Sequence, residues 1–180
     1  ISATTTVEST VLQLRRNLPR PVGCVYWRAT CEPSTSVFTP WYLGISSVPD
    51  EYHEPASLAR RLSLDYQFNA PAETFEPRME AAWWKFKTLQ HRIHEDYDAR
   101  IARVRPTWTE MESRELARQA RVEAEAMRLW ENDREAAVEY LTTYCADTAD
   151  EACREADRLA AQFAAGAVQH PHAARLRQTA

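Results

Sequence analysis

VESTVLQLRRNLPRPVGCVYWRAT, residues 7–30, is the stretch whose reading decides the fold. Residues 7–15 are rich in β-branched side chains and alternate around Leu12, Gln13, Leu14 and Arg15, which predicts a strand. Pro19 and Pro21 then force a turn. Residues 22–30 read as a second strand with bulky side chains on both faces, the pattern of a strand covered on both sides. Residues 36–39 offer a third short strand. Two or three strands make a poor layer alone, because their edges carry unpaired backbone groups. The expectation is that they complete a sheet whose other members lie outside this chain.

Outward from this stretch the chain changes character near residue 77. Eight of the ten prolines lie at or before Pro77, so short elements precede it and helices follow. Residues 44–77 are turn-rich, with a short helix expected over 55–64. Trp83, Phe86, Ile93, Tyr97, Ile101 and Val104 form a helical stripe bordered by Leu89. Pro106 is expected to end or kink that helix. Thr109 to Glu112 and Thr148 to Glu151 are capping-box patterns that predict two restarts. Leu116, Ala120, Met127, Trp130, Ala137, Leu141 and Tyr144 would line the second helix, and Cys153, Ala156, Ala160, Phe163 and Ala167 the third. The expected class is α+β. A β-rich segment at 1–76 precedes three long antiparallel helices within 77–169, and a flexible tail fills 170–180, all in one domain or half-domain.

Composition narrows the function. The charged fraction is 27% with a net charge of −4, which lacks the basic excess of a nucleic-acid binder. No run approaches the length of a membrane span, and the opening residues lack a signal-peptide pattern. A soluble chain is expected, with the cytoplasm favoured.

With three glycines there is no phosphate-cradling or dinucleotide motif, and no cofactor is expected. There is no HExxH or GxSxG pattern either. His91 and His94 have a metal-capable spacing but read as a solvated helix face, so no metal is expected. Cys24, Cys31, Cys145 and Cys153 read as buried small hydrophobes. Glu110, Glu112, Glu115, Glu123 and Glu125, interleaved with arginines, read as an exposed paired face. Trp83 and Trp84 read as core or interface. Arg15 and Arg28 lie at or near strand ends, where each either binds a substrate carboxylate or pairs with a structural acid.

Several linked pieces carry a family resemblance. They are the T-x-x-S-x-V-x-Q-L-R strand, Gly23-Cys24-Val25-Tyr26-Trp27-Arg28-Ala29, Pro33-Ser34-Thr35-Ser36, Thr39-Pro40-Trp41-Tyr42-Leu43-Gly44 and Ile45 to Pro49. Ala82-Trp83-Trp84-Lys85-Phe86 and the acidic helix after it continue the likeness. Together they resemble the C-terminal half of cysteine dipeptidases of the N-terminal-nucleophile hydrolase superfamily, which includes secernins. The resemblance implies an αββα sandwich and hydrolysis of dipeptides or small amides by an N-terminal Cys whose own α-amino group is the base. This chain opens with Ile1, so no catalytic residue is expected within it. The nucleophile-bearing half is expected as a partner, in an oligomer. Ser9 and Arg15 are the substrate-binding candidates. The competing reading is a non-catalytic helical interaction module derived from that family.

Overall fold

The computed structural model describes residues 2–53, 58–72 and 76–166. Three antiparallel strands come first: β1 (Glu8–Leu14), β2 (Cys24–Thr30) and β3 (Phe38–Tyr42), in the spatial order β1-β2-β3. A short helix α1 (Arg20–Gly23) turns β1 into β2, with proline in its first turn. Glu8 pairs with Thr30 and Leu14 with Cys24; Val25 pairs with Tyr42 and Ala29 with Phe38. One 3-10 turn (Asp50–Tyr52) and two short helices, α2 (Leu58–Arg61) and α3 (Leu64–Phe68), lead to the long helices. These are α4 (Ala82–His94), α5 (Tyr97–Asn132) and α6 (Arg134–Gly166). The class is therefore α+β, a small sheet followed by helices.

The helix boundaries differ from the expected ones, and packing explains each difference. Pro106 lies inside α5 and is exposed, as is Ala102, whose carbonyl loses its usual N–H partner. Water can serve that carbonyl, while Ile101, Val104, Trp108 and Met111 keep an unbroken buried stripe on the opposite side. Neither capping box opens a helix. Thr148 is buried within α6, and its hydroxyl donates back to the Tyr144 carbonyl at 2.9 Å. The real break falls at Glu95 and Asp96, where Glu95 takes Arg92 at 2.9 Å and Arg100 at 2.5 Å. Of the short helix expected over 55–64, residues 55–57 lie outside the described residues, as do the tail at 170–180 and Ala167.

α5 and α6 form an antiparallel hairpin about Asp133, since Tyr144 meets Glu115 and Arg114 meets Glu151. Two cores hold the chain. One gathers Phe86, Leu89, Ile93, Val104, Trp108, Leu159 and Phe163 between the three long helices. The other joins Val22, Val25, Trp27 and Tyr42 of the sheet region to Val122, Ala126, Leu141 and Cys145. Each fully buried large side chain contributes about 1.5–3 kcal/mol.

The two sheet edges differ. Hydrogen bonds Arg15 N–H to Gly23 O and Leu43 N–H to Cys24 O set the alternation. On β3, the N–H groups of Phe38 and Tyr42 consequently point away from β2. The Glu112 carboxylate takes the first at 2.9 Å and the Cys145 sulfur the second at 3.4 Å. Pro40, between them, has no N–H to satisfy, so its place in a strand costs no ladder bond. β3 is thus a closed edge. On β1, the backbone groups of Glu8, Thr10, Leu12 and Leu14 point away from β2, and no described strand meets them. Val11 on one face and Leu12 and Leu14 on the other are 54%, 61% and 71% exposed.

Candidate functional site

A thiol nucleophile must be ionisable and reachable. Cys31, Cys145 and Cys153 are free but buried. Burial pushes their thiols up to about 11, 12 and 11 respectively. Each has a structural neighbour: Trp83 O for Cys31, Tyr42 N–H for Cys145 and the Tyr52 hydroxyl for Cys153. Cys24 is half-buried at the start of β2. None of the three buried thiols is placed to attack a substrate.

Ser9 and Arg15 project from the same face of β1, as their odd numbering requires. They are six positions apart, roughly 20 Å along a strand, so the structure does not bring them together. Arg15 is engaged by Glu123, with Nη1 to Oε2 at 2.7 Å and Nη2 to Oε1 at 2.5 Å. Its Nε donates to Gly23 O, and the Tyr42 hydroxyl donates to the same Glu123 at 3.2 Å. Arg28 pairs with Glu8 at 2.7 Å and lies over the Tyr52 ring.

Beside Ser9 on that face is a groove of 220 Å³ lined by Val11, Gln13, Trp27, Phe38, Glu112 and Leu116. The register explains it. β1, β2 and β3 each send a residue to the face that α5 crosses, and α5 leaves the β1 corner uncovered. Gln13 Oε1 accepts from Trp27 Nε1 at 2.9 Å and from Gln119 Nε2 at 2.6 Å. That fixes the carboxamide and leaves its amino group without a bond among the described residues. Burial raises the Glu112 carboxyl above the usual range, partly offset by the Phe38 N–H. An apolar cleft with a few fixed polar groups and a perturbed carboxyl is the ordinary form of a binding site.

A second cluster stands at the β2–β3 turn, where Cys31 has a φ of 65°. Glu32 is buried there. It takes His94 Nε2 at 2.7 Å, the Ser34 hydroxyl at 2.7 Å and the Ser2 hydroxyl at 3.0 Å. Burial alone would raise this carboxyl, but the hydrogen bonds from His94, Ser34 and Ser2 outweigh it and hold the group below its ordinary value. Ser34 bonds the carboxylate rather than the imidazole, so this is not a nucleophile–base pair. His94 thus stays on the exposed face of α4 while its ring nitrogen reaches the buried Glu32 carboxylate. Among the described residues, no group of three or more His, Cys, Asp or Glu could hold a metal ion.

The exposed-face reading of the carboxylate run fails for Glu115 and Glu123, which are 2% and 9% exposed. Glu115 holds Tyr144, Arg114 and Arg118. A signal was available: position 115 continues the spacing of Ile101, Val104, Trp108, Met111 and Val122. Glu112 had no such signal, because its partner Phe38 lies 74 residues away.

Sheet, helices and groove thus define an α+β chain with an apolar cleft beside an open strand, and no reachable thiol among its three buried ones. The sequence matches peptidase family C69 over residues 1–110, and the chain belongs to that family, one of cysteine dipeptidases. No curated protein matches the chain. The matched residues include the sheet, α4 and the first part of α5; Glu112, Leu116 and α6 follow them. Among the described residues, no helix is long and apolar enough to cross a membrane.

Proposed function

We propose that this chain supplies the non-nucleophile portion of a thiol-dependent dipeptidase or related amide hydrolase. Its partner is a nucleophile-bearing polypeptide whose strand pairs along β1, completing an αββα sandwich and, with the groove, part of the substrate site. The observation that carries this reading is the open edge of β1, which exposes Val11 on one face and Leu12 and Leu14 on the other, in a member of a cysteine dipeptidase family whose buried thiols are unfit for attack. An edge with unpaired backbone groups and exposed apolar side chains invites another strand. The test is hydrolysis of a dipeptide panel by the chain alone and mixed with the polypeptide encoded beside it, with a thiol-blocking control. Activity in the mixture alone, abolished by the blocker, is the expected result. A stable complex inactive on every dipeptide would contradict it and favour a helical interaction module.

A further inference from the structure

We propose that the groove between β1 and α5 selects substrates by their amino end, taking an apolar N-terminal side chain against Trp27 and Leu116 and the adjoining α-ammonium group on Glu112. The choice of a peptide ligand rests on the dipeptidase reading; the groove's chemistry does not. Its volume of 220 Å³ is below the roughly 300 Å³ at which sites for drug-sized ligands begin, and suits a fragment such as one side chain. Its lining contains one ionisable group, the Glu112 carboxyl, and no cation. A ligand carboxylate would therefore be repelled and an ammonium group attracted.

The two polar groups are arranged for this. Glu112 Oε1 is occupied by the Phe38 N–H. Oε2 has no hydrogen bond among the described residues and is free to accept from an ammonium. Gln13 has its oxygen saturated by Trp27 and Gln119, so it presents N–H donors, suited to the ligand's first carbonyl. Leu116 is 56% exposed at the groove's rim, where an apolar ligand group would cover it.

The probes are leucinamide, glycinamide and N-acetyl-leucinamide, titrated into the 180-residue chain while the Trp27 indole N–H and Phe38 amide are followed by NMR. Leucinamide should shift both signals. Glycinamide lacks the side chain and N-acetyl-leucinamide the charge, and each should bind about tenfold more weakly. Glu112→Gln keeps an acceptor for Phe38 and should abolish the preference for leucinamide over its acetylated form. Leu116→Trp, at an exposed position, should fill the groove and weaken leucinamide about tenfold. Equal binding of all three probes, no shift at Trp27 and Phe38, or indifference to both substitutions would overturn the proposal. So would loss of leucinamide binding when the partner polypeptide docks, since a partner side chain would then own the groove. Leucinamide binding with an inactive mixture would sink the dipeptidase reading and leave the groove's selectivity standing. An active mixture without leucinamide binding would do the reverse.

Discussion

Glu115 sits between α5 and α6, where the Tyr144 hydroxyl donates to it at 2.7 Å and Arg114 and Arg118 approach from the solvent side. The arginines are about two-fifths exposed and can turn to water if the carboxylate is removed. Tyr144, 8% exposed, cannot. Glu115→Ala should therefore cost about 1–3 kcal/mol, the penalty of a buried hydroxyl left unpaired, measured by urea unfolding. Glu32 makes a different prediction. Its folded-state pKa lies below the unfolded value, so its contribution is present above about pH 4.3, the ordinary glutamate value. That contribution is lost as pH falls through the lower folded value. Acid titrations of stability should show a steeper decline in the wild type than in Glu32→Gln, and equal slopes would remove Glu32 from the account. Of these two residues, only Glu115 carries a sequence signal of burial, its place in an apolar stripe, which the exposed-face reading overlooks. Glu32 carries none, because burial there depends on Ser2 and His94, 30 and 62 residues away.

Strands and helices were legible to different degrees. The strand character of β1 and β2 followed from alternation and flanking prolines, and the helical stripes were visible wherever large apolar residues recurred. Helix ends were not, because Pro106 and two capping boxes carry local signals that a continuous buried face overrides. Pro106→Ala tests that argument: restoring the backbone bond should stabilise the chain by about 1–3 kcal/mol, seen as a higher unfolding midpoint. Loss of stability would mean that the proline shapes α5 in a way the packing requires. The alternation of β1 makes a sharper prediction. Leu12 directs its N–H away from β2, whereas Val11 directs its N–H into the ladder. Leu12→Pro should leave the chain's circular dichroism and unfolding midpoint nearly intact while weakening partner binding at least about tenfold. Val11→Pro should destabilise the sheet by removing a ladder bond, a cost of about 1–3 kcal/mol. Equal effects of the two substitutions on folding would refute the assigned edge.

Across the whole molecule, the sheet cannot be separated from the helices that follow the matched residues. Val25, Trp27 and Tyr42 are buried against Val122, Ala126, Leu141 and Cys145, and the edge of β3 is closed by Glu112 and Cys145. The α+β class was readable from strand number and composition. Which edge stays open was not, because the groups that close β3 come from 74 and 103 residues along the chain. The closed edge leaves β1 as the place for the proposed partner strand, and amide hydrogen exchange tests this directly. In the chain alone, Thr10 and Leu12 should exchange fast, while the Tyr42 amide, already held by Cys145, exchanges slowly. Binding of the polypeptide encoded beside this chain should slow Thr10 and Leu12 and leave Tyr42 unchanged. Fast exchange at Thr10 and Leu12 in a complex that hydrolyses dipeptides would place the partner elsewhere and contradict the account.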